Sequence, residues 1–157
     1  MTEERLPVLS RRRVLGGTVA GVAMLAGCAG GGGSGGGGQT ATEEPYDGWL
    51  SPVQNFDGTV ADRTGAENVS ITVGAGNGLL YDPPAVRVTP GTTVLWEWTG
   101  RGGQHNVQEE TGAFESELAS AAGTTFEWTA SEPGVYRYFC LPHQRVGMQG
   151  VVDVVEG

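Results

Sequence analysis

Apolar and polar residues alternate with a period of two along much of the chain after residue 46. Six segments show the alternation: residues 69–73, 85–88, 93–98, 124–128, 135–140 and 151–155. They are rich in β-branched and aromatic residues, and Gly, Pro and Asp stand between them, which is typical of an all-β sandwich or barrel. Helical periodicity is scarce, and only residues 114–122 suggest a short helix. The pattern therefore predicts an all-β domain over residues 46–157.

The first 27 residues have the layout of an export signal. Three arginines at residues 11–13 precede an apolar stretch at 14–26, which as a helix would reach about 20 Å and so fall short of the ~30 Å hydrocarbon core of a membrane. The run SRRRVL at 10–15 resembles the twin-arginine export motif. The run LAGC at 25–28 resembles a lipobox. We therefore expect cleavage before Cys28 and a lipid on Cys28, which would anchor the protein at the outer face of the cell membrane.

A low-complexity segment rich in Gly and Ser follows over residues 28–45. Such a segment cannot bury a hydrophobic core, and about 17 residues of it have an r.m.s. reach of roughly 20–25 Å. The sequence thus predicts three parts: a signal peptide (1–27), a flexible tether (28–45) and a folded domain (46–157).

The net charge of the chain limits the kinds of partner that it can bind. The protein has no lysine. From Cys28 onward it has 16 acidic residues and 5 arginines, which gives a formal charge of −11. Such a surface repels nucleic acid and anionic lipid headgroups, so we expect neither as a partner. An acidic surface without lysine resembles the proteins of extreme halophiles.

Candidate chemistry is concentrated in the run CLPHQRVGM at residues 140–148. If Cys28 carries a lipid, Cys140 has no disulfide partner and is buried, reactive or metal-bound. Together with His105 and His143, a Cys140 thiolate and a weak thioether from Met148 make the donor set of a blue-copper electron-transfer site. Zinc and a Cys–His catalytic pair remain alternatives, although thioether is an uncommon zinc ligand and a catalytic pair has no use for a methionine.

Several motifs resemble the halocyanins, small blue-copper proteins of halophilic archaea within the plastocyanin branch of the cupredoxins. The motifs are WEWTG (96–100), GGQHNV (102–107), GAFES (112–116), GVYRY (134–138), CLPH (140–143) and GMQG (147–150). The resemblance implies a Greek-key β-sandwich with one copper ion bound by His105, Cys140, His143 and Met148. It also implies that Asn106 fixes the two ligand loops by hydrogen bonds. The run VQEE at 107–110 departs from the family by being more polar than expected.

The function that follows is single-electron transfer between membrane-associated redox partners at a mononuclear type 1 copper site. We expect His143 to be the electron port, with Leu141, Pro142 and Val146 as an apolar rim. An enzyme with a second copper centre would need further histidines, and the chain has two. We therefore expect no enzymatic activity and a monomer. The alternative is an extracytoplasmic copper carrier or storage protein.

Three further expectations concern individual side chains. Trp96 and Trp98 share one face of a strand and should pack in the core. Tyr136 and Tyr138 have the same parity as Cys140 and should fill the core beneath the site. Asn68 lies in an Asn-x-Ser sequon that we expect to be unmodified.

Overall fold

The structure is a computed structural model that describes residues 44–157, and nine strands form two sheets in this part of the chain. The strands are β1 (Ala61–Asp62), β2 (Asn68–Ala75), β3 (Leu80–Asp82), β4 (Ala85–Val88), β5 (Thr93–Trp98), β6 (Gln108–Glu109), β7 (Thr125–Thr129), β8 (Gly134–Phe139) and β9 (Gln149–Val154). Two short 3-10 helices span Pro45–Gly48 and Leu141–Val146. The predicted signal segment, Cys28 and the tether up to residue 43 lie outside the described residues, so cleavage and lipidation stay predictions.

The two sheets pack face to face as a sandwich. Sheet I has the order β1-β4-β9-β8-β6, and sheet II has the order β3-β2-β5-β7. Within sheet II, β2 runs parallel to β5 and β5 runs antiparallel to β7, whereas β8 and β9 are antiparallel neighbours in sheet I. Strands adjacent in a sheet are thus often distant in sequence, as in a Greek key. The predicted all-β Greek-key sandwich is confirmed.

Alternation along the strands matches burial, because side chains of one parity point between the sheets. Trp96 and Trp98 are buried in this core, as predicted. Tyr138 is fully buried and its ring lies 5.4 Å from that of Trp96 across the sandwich. Tyr136 is half-buried and packs on Trp128 with ring centroids 4.7 Å apart. Tyr138 therefore fills the core as predicted, whereas Tyr136 is only partly buried at its edge.

The expected helix at 114–122 is wrong. This segment is extended, and its backbone forms isolated bridges from Ala119 to His105 and from Glu115 to Gln108. His105 donates its N–H to Ala119 at 2.8 Å and accepts the N–H of Ala119 at 2.9 Å. Tertiary pairing overrides the weak local helix preference here. The short strands β1, β3 and β6 were not predicted, since two or three residues cannot show a period.

An N-terminal strap, residues 45–60, crosses the outer face of sheet I. Its Leu50 and Val53 form a second, smaller core with Ala85 of β4 and Val151 of β9. Every residue of β9 is consequently buried, even though the strand belongs to a two-layer sandwich.

One remaining prediction concerns the surface. Asn68 opens β2 and is exposed, and its lack of modification stays a prediction. Among residues 44–157, none of the helices has the length and apolar content to span a bilayer.

Candidate metal centre

The loop after β5 carries His105 and holds it rigidly. The imidazole Nε2 lies 2.8 Å from the carbonyl oxygen of Arg101, and because a carbonyl only accepts, Nε2 carries the proton and donates it. The Nδ1 atom then carries no proton, so its lone pair can bind a metal ion, and it faces away from Arg101. Trp98 donates its indole N–H to the carbonyl of His105 at 3.2 Å, and the bridge to Ala119 holds the backbone on the other side. His105 is 1% exposed.

A glycine allows this loop to pack closely. Gly102 has φ +81°, and a Cβ on it would lie 1.9 Å from the carbonyl oxygen of Gly78. Any larger residue at 102 would push the His105 loop away from the neighbouring turn.

The second loop, residues 140–148, begins where β8 ends. Cys140 is fully buried, and Pro142 lies in the first turn of the 3-10 helix that follows, a position where its missing N–H costs nothing. The N–H of His143 donates to Cys140 O at 3.0 Å, and that of Met148 donates to His143 O at 3.2 Å. The N–H of Cys140 donates to Met148 O at 3.0 Å. These three hydrogen bonds tie together the backbone at all the predicted ligands of this loop.

Asn106 joins the two loops. Its side-chain Oδ1 accepts the N–H of Leu141 at 2.8 Å, directly after Cys140. The backbone carbonyl of Asn106 accepts the hydroxyl of Tyr81. Burial raises the pKa of Tyr81 well above its ordinary value, so this hydroxyl keeps its proton and remains a donor. The loop-fixing role implied for Asn106 therefore has hydrogen bonds to support it.

Three predicted ligand atoms form a small triangle. Cys140 Sγ lies 3.6 Å from Nδ1 of His105 and 3.4 Å from Nδ1 of His143, and the two Nδ1 atoms are 3.2 Å apart. The point equidistant from the three atoms lies about 2.0 Å from each of them. This distance is near the lengths of the bonds that zinc, a metal ion similar in size to copper, makes with the same ligands, about 2.0–2.1 Å to nitrogen and about 2.3 Å to sulfur. The residues present thus fit a single metal ion in trigonal coordination.

The pKa shifts at the site favour a bound metal ion over a thiolate–imidazolium ion pair. Burial raises the pKa of the Cys140 thiol, and the backbone N–H groups of Asn106 and His143 only partly oppose this. Burial, reinforced by the neighbouring His105, lowers the pKa of His143. The metal-free site therefore holds a neutral thiol and a neutral imidazole, and a cation is needed to make the thiolate stable.

Met148 is fully buried in the same core cluster as Cys140, and its backbone is tied to both Cys140 and His143. The structure therefore places Met148 in the same loop as the other two ligands, and the role of its thioether as a weak fourth ligand stays a prediction.

The side chains around His143 are exposed. Leu141 and Val146 are 57% and 52% exposed, and Pro142 is exposed as well. His143 is half-buried among them. Their exposure is consistent with the expected apolar rim, and the role of His143 as the electron port stays a prediction.

The polar run VQEE at 107–110 has a structural explanation. Val107 is buried in the core. The side chain of Glu109 is also buried, and its carboxylate accepts the N–H groups of Thr111 and Ala113 at 2.7 and 2.9 Å and the Thr111 hydroxyl at 2.8 Å. The carboxylate stabilises the turn after β6, so Glu109 has a structural role in this run.

Sequence reasoning missed three residues that support the ligands. Arg101 acts through a backbone carbonyl, which no side-chain pattern can reveal. Tyr81 and Trp98 look like ordinary core aromatics in the sequence, and only their hydrogen bonds distinguish them.

Comparison with known proteins identifies the family of this chain. The family model of copper-binding proteins of the plastocyanin/azurin family matches residues 67–155. The chain is 47% identical to a halocyanin of Natronomonas pharaonis, over 93% of this chain and 98% of that one. It is 32% identical to a plastocyanin of Scenedesmus fuscus, over 55% of this chain and 99% of the plastocyanin. Among solved structures, a purple cupredoxin from Nitrosopumilus maritimus is similar at 30% identity, over 55% of this chain and 99% of that chain, with a TM-score of 0.48. This chain belongs to the plastocyanin/azurin family of copper-binding proteins, with the halocyanins among its relatives.

Proposed function

We propose that the protein carries single electrons between a membrane-associated donor and a membrane-associated acceptor at the outer face of the cell membrane. Electron transfer at copper is the general activity of its family. The observation that carries the proposal is the triangle of one thiol sulfur and two imidazole nitrogens, with edges of 3.2–3.6 Å, formed by residues from two separately anchored loops.

Bound copper supplies the redox chemistry, because soft sulfur favours Cu(I) and imidazole suits both oxidation states. The chain supplies a geometry that changes little between the two states. His105 is held by the Arg101 carbonyl, and the loop of Cys140 is closed on itself by backbone bonds. Little rearrangement on oxidation means a low barrier to electron transfer.

The port for the electron is the half-buried ring of His143 and the exposed apolar side chains around it. Beside this rim lies a shallow groove of about 410 Å³, lined by Leu118 and Leu141 with Glu115 and Glu117. An exposed apolar surface of this kind is typical of a docking site, and acidic residues beside it favour a partner with basic residues at its rim. We propose that both redox partners dock here in turn, and that the protein itself is a monomer.

Anchoring at the membrane rests on the predicted lipid at Cys28. Expression of the full chain and of Cys28→Ser in an archaeal host tests it by fractionation. We expect the parent chain in the membrane fraction and Cys28→Ser in the soluble exported fraction. Equal distribution of both chains would contradict the anchor and leave the copper chemistry untouched.

The second candidate function is a copper carrier or storage protein with no role in electron transfer. The buried and hydrogen-bonded His105 argues against it, because a carrier has to release its metal readily. We also expect no enzymatic activity, since both histidines of the chain are used at one site.

Electron self-exchange separates the two functions. We expect rapid exchange between the Cu(I) and Cu(II) forms, measured by NMR line broadening, and slow transfer of Cu(I) to a competing chelator. Slow self-exchange together with rapid metal transfer would favour the carrier.

A further inference from the structure

The N-terminal strap, residues 45–60, lies outside the part of the chain that matches the family model, which begins at residue 67. It is nevertheless firmly packed. Val53 is 5% exposed and Leu50 is buried against β4 and β9. Arg137 of β8 donates to the Tyr46 carbonyl at 3.1 Å and pairs with Asp47. The strap is thus fixed at its start and along its length.

One contact of the strap reaches the loop that carries three of the predicted ligands, and a second reaches β9 directly after that loop. Gly147 lies between His143 and Met148, and a Cβ on it would come 2.4 Å from the carbonyl oxygen of Pro52. With φ +86°, Gly147 adopts the left-handed conformation that ends the 3-10 helix directly against the strap. The indole N–H of Trp49 donates to Gly150 O at 3.1 Å, two residues after Met148.

A third contact reaches β3, which supports the loop of His105. The side-chain Nδ2 of Asn55 donates to the backbone carbonyl of Tyr81 at 2.9 Å. Tyr81 in turn donates its hydroxyl to the carbonyl of Asn106, whose side chain joins the two ligand loops. The strap therefore touches the supports of both loops.

We propose that the strap is a positioning element for the copper ligands, which holds the loop of residues 140–148 closed over the metal. The loop has its own backbone bonds, but it is short and its helix is largely exposed, so an outside contact decides how often it opens. Residues 49–55 supply that contact. The inference goes beyond electron transfer and depends only on metal binding at Cys140.

Two substitutions weaken the strap, and a third serves as a matched control. Trp49→Phe keeps an aromatic ring and removes the hydrogen bond to Gly150. Val53→Ala loosens the packing of the strap. Val69→Ala removes the same atoms from a valine that is also 5% exposed, but which lies near the start of β2, at the end of the sandwich away from the ligands.

All variants are made in the full chain with Cys28→Ser, so that Cys140 is the only thiol. The copper-free proteins are treated with a thiol reagent, and the rate of Cys140 labelling is measured beside the free energy of unfolding. Because Cys140 is fully buried, labelling reports opening of the site. Release of copper to a chelator is measured on the loaded proteins.

We expect Trp49→Phe to label about two- to tenfold faster, which corresponds to the loss of one hydrogen bond. Val53→Ala should label about tenfold faster or more. Both should release copper faster by similar factors. Labelling of Val69→Ala should stay close to that of the parent although its free energy of unfolding also falls, because opening of the loop does not involve β2.

The proposal is overturned if, for the same loss in the free energy of unfolding, both strap variants label and release copper no faster than Val69→Ala. If Val53→Ala does not fold, Trp49→Phe still decides the matter. Slow electron self-exchange in the parent protein would contradict the proposed electron carrier without bearing on the strap.

Discussion

The two histidines of the site belong to contrasting surroundings. His105 is buried, and both its ring and its backbone are held by hydrogen bonds from within the domain. His143 is half-buried on an exposed 3-10 helix, among apolar side chains that face the solvent. The two imidazoles therefore have different roles. His105 sets the geometry of the site, and His143 connects it to the surface.

Replacing each histidine by glycine should give the largest effects and should separate these two roles. Both variants lose the trigonal copper site, because one nitrogen of the triangle is missing. Added imidazole should enter from solvent and restore the site in His143→Gly. In His105→Gly the hole is enclosed by the core, so imidazole should have little effect. Visible absorption with Cu(II) measures both. Equal restoration of the two variants would contradict the contrast.

Asn106→Ala breaks the link between the loop of His105 and that of His143. The Leu141 N–H loses its partner, which should lower the free energy of unfolding by about 1–3 kcal/mol and speed copper release. Denaturant titration and release to a chelator measure the two effects. Asn77 provides a control, since its side chain accepts the Leu79 N–H at 3.0 Å within a single exposed turn. Copper release from Asn77→Ala that matches release from Asn106→Ala would show that the link between the loops is unimportant.

Met148→Leu tests the predicted weak fourth ligand. Leucine has a similar volume, so copper should stay bound and the free energy of unfolding should change by less than about 1.5 kcal/mol. Loss of a donor to Cu(II) should raise the reduction potential, by about 59 mV for each tenfold loss of Cu(II) affinity relative to Cu(I). Voltammetry measures this change, and an unchanged potential would mean that Met148 is not a ligand.

The exposed rim should contribute least to stability. Leu141→Glu and Val135→Glu each add one negative charge at a side chain that is at least half exposed, and Val135 lies at the far end of β8. Both should change the free energy of unfolding by about 0.5 kcal/mol or less. Leu141→Glu alone should slow self-exchange, by about tenfold or more, since like charges would then meet at the port. Equal rates in the two variants would place the port elsewhere.

The strands and most of the site could be predicted from the sequence, for reasons that differ. Most of the six predicted strands were predictable because one face is buried, as in β2, where Val69, Ile71 and Val73 point inward. The strand β9 is buried on both faces, and it was predictable from its β-branched residues. The cluster of His105, Cys140 and His143 was predictable because few residue types with defined spacings serve this kind of chemistry. Cys140 and His143 are close in sequence, so their proximity in space is almost guaranteed.

What the sequence did not predict depends on long-range backbone contacts. The extended course of residues 114–122 is set by pairing with His105, which local preference does not encode. The support of His105 by Arg101 uses a carbonyl group, and the strap acts through Pro52 in the same way. Every residue has a carbonyl, so no residue type reveals these contacts.

The central claim is that His105, Cys140 and His143 bind one copper ion through a thiolate. The most direct measurement is the visible absorption spectrum of residues 28–157 titrated with Cu(II), beside the Cys140→Ser variant. We predict an intense blue band that saturates at one equivalent of copper, disappears on addition of ascorbate and is absent from Cys140→Ser. A colourless parent protein, or a Cys140→Ser variant that is equally blue, would contradict the account.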